Sequence, residues 1–267
     1  MGIYDFFDDI VCINLDISTD RRDQSIHYLN KLNIPIKFFT AKKHIKGGIY
    51  GCFDSHIQIL LDAKRRNLNN ILVFEDDFIP TASYNEDKLQ IAIEFMKNNE
   101  EWDIFHLAYL FIKDDKDGIT SIFNGKTYGK DIIEFNPFCT LALCYNKKAI
   151  DRILEEYNEY IGIIHYDMYI SSYLKLKNFC IIPMIFDQNW NIEYNIEPAD
   201  AIEYVVRSAY PLIAYTKLNY NMSLLKYYIN MLNIRYGKYN VLFIIATILF
   251  IIKKHITRRT QTISKCL

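Results

Sequence analysis

A run of acids directly follows an apolar stretch at residues 71 to 78, which read ILVFEDDF. Glu75, Asp76 and Asp77 are adjacent, so their charges repel one another, and burial disfavours the charged form of each. A fold tolerates such a cluster where water, a cation or hydrogen-bond donors compensate the charge. The stretch is therefore either a solvated strand end or a metal site. We favour the metal site, because an exposed triple acid rarely follows a run as apolar as ILVF.

The geometry of a strand separates the roles of these acids. Side chains two residues apart share one face of a strand, so Glu75 and Asp77 can reach one divalent cation. Asp76 then faces elsewhere, for example toward a ribose hydroxyl. Asp77 is the strongest candidate for a metal ligand.

Other polar residues follow the first two predicted strands. Ligands of open α/β sheets bind beyond the carboxyl ends of the strands. A cation with Arg or Lys at that edge can hold a diphosphate, which makes a nucleotide the implied ligand. Two adjacent arginines at a helix start oppose the macrodipole, which favours diphosphate contacts over a structural role. The candidate donor-binding residues are Asn14, Asp16, Arg21, Arg22 and Lys42.

Composition narrows the function further. The chain has 267 residues, 51% of them hydrophobic, which supports a sizeable core. Lys and Arg number 31 against 32 Asp and Glu, so no global positive field attracts nucleic acid. The six cysteines form no CxxC pair and lie mostly in apolar runs, as expected for reduced thiols in the cytoplasm. The N-terminal segment shows no export signal.

Apolar periodicity predicts alternating strands and helices. Strands are expected at 10 to 15, 34 to 39, 71 to 75 and 102 to 109, around DIIEF and CTLALCY, and at FCIIP. Helices are expected from Asp20 to Leu32, and over 53 to 66, 86 to 97, 147 to 157 and 167 to 177. Strands joined by helical crossovers imply an α/β domain with a parallel sheet and helices on its faces.

This α/β domain is predicted to cover residues 1 to 190. Residues 191 to 240 are expected to form a helical C-terminal extension. Residues 241 to 267 combine the apolar run VLFIIATILFII with a basic flank. Twelve apolar residues are too few to span a bilayer, so the run is either a packed helix or a membrane-surface anchor. The protein is thus expected to be cytoplasmic, with peripheral or tail-mediated membrane contact.

Four blocks, in this order and spacing, are similar to those of family 25 glycosyltransferases, which include lipopolysaccharide and collagen galactosyltransferases. Each block alone is weak, and together they are specific over residues 10 to 188. The chain departs from the family at AKKH (41 to 44), where A-V-D-G is usual, and at Cys139 and Thr140, where a Gly-Thr pair is usual. The blocks are VCINLDISTDRR, GCFDSHIQIL, ILVFEDDF and WDIFHLAY.

The resemblance implies a GT-A-like nucleotide-sugar-binding domain that transfers a hexose, galactose or glucose, from a UDP-sugar with inversion. It implies Mn²⁺ or another divalent cation as cofactor, acting as a Lewis acid on the departing UDP. Asp167 matches the acid that the family keeps at a helix start, so it is the candidate base for the acceptor hydroxyl. It is also explained by helix capping alone. His56 follows Ser55 in the motif near the donor loop and is assigned to donor binding, although a core role suits it too.

Other function classes stay open. The same fold can serve as a catalytically inactive nucleotide-sugar-binding module, and the altered A-V-D-G stretch favours that alternative. Clustered acids also suit a metal-dependent phosphotransferase or nuclease, but the near-neutral charge promises no basic groove for nucleic acid. The acceptor is a glycan, lipid-linked or protein hydroxyl, and the sequence does not choose among them.

Overall fold

The computed structural model describes residues 2–81, 83–109, 126–134 and 136–189. Strands and helices alternate along these ranges, as the periodicity predicts. The strands are β1 (Asp9–Leu15), β2 (Lys37–Ala41), β3 (Asn70–Glu75), β4 (Phe78–Pro80), β5 (Ile104–His106), β6 (Lys126–Tyr128), β7 (Ile132–Glu134), β8 (Ala142–Asn146), β9 (Asn178–Ile181) and β10 (Phe186–Gln188). The α-helices are α1 (Thr19–Lys31), α2 (Gly48–Arg65), α3 (Glu86–Asn98), α4 (Lys147–Glu156) and α5 (Tyr166–Met168), which continues as a π-helical turn, Tyr169–Tyr173.

Most of the described strands belong to one mixed sheet with the order β2-β1-β3-β8-β5-β9-β7-β6. Strand β1 pairs in parallel with both β2 and β3, and α1 and α2 form the crossovers between them. Only β7 and β8 run against the other strands of this sheet. The predicted α/β fold with a mostly parallel central sheet is confirmed.

Helices cover both faces of the sheet because its buried strands are apolar on both sides. In β3, Leu72 and Phe74 join one core cluster, and Ile71 and Val73 join another. Helices α1 and α3 contribute to the first cluster, and α2 and α4 to the second. Such double burial is typical of central strands in α/β domains.

Strand β8 decides which loop lies next to the acids. It inserts antiparallel between β3 and β5, where Phe74 pairs with Ala142. The backbone N–H of Glu75 donates to Leu141 O at 3.0 Å. The segment just before β8 therefore lies beside the carboxyl end of β3.

Several predicted helix boundaries differ from the structure. Helix α2 begins at Gly48, five residues before the predicted Phe53. Helix α1 begins at Thr19, with Asp20 inside its first turn rather than at its N-cap. The predicted helix from 167 to 177 ends earlier, and Lys175 adopts a left-handed backbone with φ 52°, which does not continue a helix.

The predicted extension at 191 to 240 and the tail at 241 to 267 lie outside the described residues. Within the described ranges, none of the helices has the length and apolar character required to cross a membrane.

Candidate functional site

The acidic cluster lies at the carboxyl end of β3 and is mostly buried. Glu75 is the last residue of β3, and Asp76 and Asp77 form the turn into β4. Asp76 is 5% exposed and Asp77 is 7% exposed. These two acids are therefore not a solvated strand end, and their surroundings are protein groups.

Arg21 provides most of that compensation. Its Nη2 atom pairs with Asp76 Oδ1 and lies 3.0 Å from Asp77 Oδ2. Asn14 Nδ2 donates to Asp76 Oδ2 at 2.7 Å and to Ser18 O at 3.0 Å. Ser25, on the same helix as Arg21, donates to the carbonyl of Asp76 at 2.9 Å. The end of β1 and the first turns of α1 thus hold the acidic turn in place.

Asp77 keeps one carboxylate oxygen without a hydrogen bond. Gln188 Nε2 donates to its Oδ2 at 2.9 Å, whereas the buried Oδ1 has no partner among the described residues. Burial, and then the negative charge of Glu75, raise the pKa of Asp77 to about 7. Burial also raises the pKa of Asp76, although Arg21 opposes the shift. The cluster is short of positive charge.

Glu75 faces the N-terminal half of α2. Its Oε1 accepts a hydrogen bond from Thr140 Oγ1. It also lies 3.5 Å from His56 Nε2 and 3.7 Å from Cys52 Sγ. His56 is fully buried, with Tyr145 Oη 3.4 Å from its Nδ1 and the ring of Tyr166 stacked on it at 4.5 Å.

Asp167 belongs to the same region. Its Oδ2 accepts from the backbone N–H of Cys139 at 3.2 Å, and its Oδ1 accepts from that of Met168 at 2.7 Å. Burial raises the pKa of Asp167, and the charge of Glu75 adds to the shift. Asp167 therefore lies near Glu75, one of the two predicted metal ligands. The neighbouring residues Cys139 and Thr140 contact these two carboxylates.

Three predicted donor-binding residues have other surroundings. The guanidinium of Arg22 lies 4.1 Å from the centre of the Phe38 ring and 3.5 Å from Thr40 Oγ1. Asp16 and Lys42 are exposed just beyond β1 and β2. The sequence could not separate Arg21 from Arg22, because only the packing of α1 decides which arginine turns toward β3.

Sequence reasoning missed several residues of the site. Cys52 precedes His56 by one helical turn, a spacing visible in GCFDSH, but the apolar surroundings of the cysteines predict only reduced thiols. No local sequence pattern marks Thr140 or Gln188, because they approach the acids through long-range strand pairing. The same is true of Ser25, since a serine within a helix is usually exposed.

The backbone of Cys139 has an unusual conformation. Its φ is 91°, in the region that favours glycine.

No family model and no curated protein matches the chain at the level of sequence. Three similar solved structures are protein A197 from STIV, a glycosyltransferase involved in glycosylation of the major capsid of PBCV-1, and a putative glucose-1-phosphate thymidylyltransferase from Bacillus anthracis. Their identities are 16%, 8% and 12%, and their TM-scores are 0.40, 0.42 and 0.40. The matches cover 64%, 69% and 80% of this chain and 81%, 94% and 77% of theirs.

Proposed function

We propose that this protein is a GT-A-like glycosyltransferase, related to family 25, that transfers a hexose from a UDP-sugar to an acceptor hydroxyl with inversion. The observation that carries the proposal is the buried acidic turn after β3 at the carboxyl edge of the sheet, where Oδ1 of Asp77 has no hydrogen-bond partner in the described part of the chain. Open α/β sheets bind nucleotides at this edge.

The charges around the turn support a divalent cation. Glu75, Asp76 and Asp77 are adjacent, and Arg21 is the cation that pairs with two of them. An oxygen atom without a partner in a buried, electron-rich site is a suitable ligand for Mn²⁺ or Mg²⁺. Asp77 would hold the ion with Glu75, and when bound the ion would neutralise the diphosphate of the departing nucleotide.

Arg21 and Asn14 prepare this site. The guanidinium of Arg21 fixes the acidic turn and places a permanent positive charge beside the expected diphosphate. Asn14 donates to one oxygen of Asp76 and Arg21 pairs with the other, so both oxygens of the acid predicted to meet a ribose hydroxyl already have protein partners.

Asp167 is suited to the role of general base. Its raised pKa makes its carboxylate a better proton acceptor than an ordinary exposed aspartate. Two backbone N–H groups fix its orientation, so it can take the proton from an acceptor hydroxyl as the sugar is transferred.

A nucleotide-sugar-binding module without turnover is the alternative. Arg21 already spans Asp76 and Asp77, so it supplies part of the charge that a cation would bring. The AKKH stretch in place of A-V-D-G favours the same alternative.

Calorimetry and a product assay together test the proposal. We expect UDP to bind in Mn²⁺ and much more weakly in EDTA, and a panel of UDP-sugars with Mn²⁺ to yield free UDP. Asp77→Asn should lose the metal dependence, whereas Asp87→Asn, which changes an exposed acid on α3, should keep it.

Each other result has a definite meaning. Equal UDP binding in EDTA and Mn²⁺ contradicts the metal role. Metal-dependent binding without release of UDP from any donor identifies the binding module. No UDP binding in either condition refutes both functions.

A further inference from the structure

We propose that Cys52, His56 and Glu75 form a second metal site, selective for Zn²⁺ or a similar transition-metal ion. One ligand atom from each residue lies within 4.8 Å of the other two. The donors are a thiol sulfur, an imidazole nitrogen and a carboxylate oxygen. This inference goes beyond the proposed glycosyl transfer. Glu75 is shared with the site proposed at Asp77, so Cys52 and Asp77, which belong to one site each, are the residues that separate the two proposals.

Helix α2 and strand β3 build the site together. Cys52 and His56 are four residues apart on α2, so they project from one face of the helix. That face packs against the carboxyl end of β3, where Glu75 emerges. The spacing on the helix and the packing against the strand bring the three donors to one point.

The two distances from Glu75 match the spacing of ligands around one ion, and the third pair, Cys52 and His56, lies within 4.8 Å. Glu75 Oε1 lies 3.5 Å from His56 Nε2 and 3.7 Å from Cys52 Sγ. A strong N–H to O hydrogen bond is about 2.9 Å long, so the histidine contact is loose. A tetrahedral zinc ion with bonds of about 2.0 to 2.3 Å spaces its ligand atoms about 3.3 to 3.7 Å apart.

Neighbouring groups already orient two of the ligands. Tyr145 Oη lies 3.4 Å from His56 Nδ1, so Nδ1–H can donate to it and leave Nε2 free for a metal. Thr140 Oγ1 donates to the Glu75 carboxylate. Tyr166 stacks on the imidazole and limits its rotation. Outer contacts of this kind are what metal-binding histidines and carboxylates normally have.

The donor set distinguishes this site from the oxygen site at Asp77. Thiolate and imidazole favour Zn²⁺, whereas carboxylates alone suit Mg²⁺ and Mn²⁺. Three protein ligands leave one tetrahedral position for water. On binding, the sulfur of Cys52 forms a bond to the ion and its proton is released to solvent.

Cobalt substitution tests the proposal on the full chain. The protein, freed of metal with a chelator, is titrated with Co²⁺ and then with Zn²⁺ in competition with a chromophoric chelator. We expect one Co²⁺ with a thiolate-to-cobalt charge-transfer band, displaced by Zn²⁺ and not by an excess of Mn²⁺. Cys52→Ser should abolish the band and weaken Zn²⁺ binding about tenfold or more.

Three control variants make the result specific. Cys139→Ser and Cys266→Ser remove other thiols and should leave the band intact. Asp77→Asn should also leave it intact, although it removes Mn²⁺-dependent UDP binding, so the two metal hypotheses fail separately.

Thr140→Val should keep the band but weaken Zn²⁺ affinity about tenfold, because Glu75 loses its orienting donor. A band that survives in Cys52→Ser, or the absence of a thiolate band in a folded wild-type protein, overturns the proposal.

Discussion

The two aspartates of the acidic turn differ in what surrounds them. Asp76 is held by Asn14 and Arg21. Asp77 shares Arg21, accepts from Gln188 and has one oxygen without a partner among the residues that the structure describes. Both carboxylates are buried, so the number of donors determines how readily each carries charge. Asp77 is therefore the residue whose protonation most depends on the contents of the site.

Replacing Asp77 should show how much the burial of its charge lowers the stability of the fold. The pKa of Asp77 rises from its ordinary value near 4 to about 7, so the folded protein binds more protons than the unfolded chain between those values. Its contribution to stability is present below about pH 4 and is lost as the pH rises through 7. Asp77→Asn should therefore raise the melting temperature of the metal-free protein at pH 8 and change it little at pH 4.

Differential scanning fluorimetry at a series of pH values measures this effect. About 1 kcal/mol corresponds to roughly 2 to 4 °C for a chain of this size. Asp87→Asn is the matched control and should show no such pH dependence. A lower melting temperature for Asp77→Asn at pH 8 would mean that its pairing with Arg21 outweighs the cost of burial.

Asp167 offers a second test at the scale of a residue. Asp167→Asn keeps an oxygen that can accept from the N–H of Cys139 or Met168, so the fold and UDP binding should persist. Loss of the base should slow sugar transfer about 10² to 10⁴-fold. Steady-state kinetics and calorimetry of the same variant separate the two effects. The structure places His165 at the N-cap, so the capping explanation of Asp167 is wrong. A variant with normal turnover would assign Asp167 only to holding the backbone of Cys139 and Met168.

At the scale of elements, the segment before β8 joins the acids to α5. Thr140 contacts Glu75, and the backbone of Cys139 contacts Asp167. Cys139 adopts a positive φ to make this connection. With this strained backbone, two neighbouring residues contact two different carboxylates of the site.

Cys139→Gly should relieve that strain. A non-glycine residue in such a conformation destabilises the folded state by about 1 to 3 kcal/mol. Glycine also increases the conformational freedom of the unfolded chain, which offsets about 0.4 to 1 kcal/mol of the stabilisation. We expect a net gain of about 1 kcal/mol in the free energy of unfolding. Urea denaturation measures it. Cys139→Ala, which removes the thiol and keeps the strain, should give no gain, and equal stabilisation by both variants would contradict the explanation.

Close packing at Gly162 connects the loop before α5 to α2. Gly162 has φ 77°, and a Cβ there would lie 2.4 Å from Cδ2 of Tyr50. Gly162→Ala should lower the free energy of unfolding by about 2 kcal/mol, through both overpacking and backbone strain. Gly129→Ala is the matched control, because Gly129 also has a positive φ of 67° but no atom within 4 Å of the added Cβ. Equal losses in the two variants would mean that the contact with Tyr50 contributes nothing.

At the scale of the whole molecule, the described domain is a sheet between two apolar layers. Its central strands are buried on both faces, so charged groups can meet a ligand at the loops that follow these strands. The tail at 241 to 267 lies outside the described residues, and its attachment to membranes stays a prediction from its composition.

Charge removal in the full chain tests that prediction. Each basic residue near an anionic surface contributes about 1 kcal/mol, so replacing Lys253, Lys254, Arg258 and Arg259 with Gln should abolish flotation with anionic vesicles. High salt should have the same effect on the unmodified protein, and turnover of a UDP-sugar should be retained. Unchanged flotation of the variant would refute the anchor. A lost thermal transition would place the segment in the folded core.

Local patterns in the sequence determined the start of the fold and the position of its acids. β1, α1, β2, α2 and β3 follow from apolar periodicity, because a strand or helix buried by its neighbours repeats its apolar residues at its own period. The run ILVF followed by three acids marked the end of β3, and the start of a helix marked Asp167. Both lie in the site because the ends of strands and helices converge at one edge of an α/β sheet.

Only the tertiary structure decided which groups meet there. The antiparallel insertion of β8 brought Thr140 to Glu75, and the packing of α1 turned Arg21 toward the acids and Arg22 toward Phe38. Cys52 met Glu75 because α2 packs against the end of β3. These contacts join residues far apart in the chain, and their energies depend on distance and burial in the folded state, which no local spacing records.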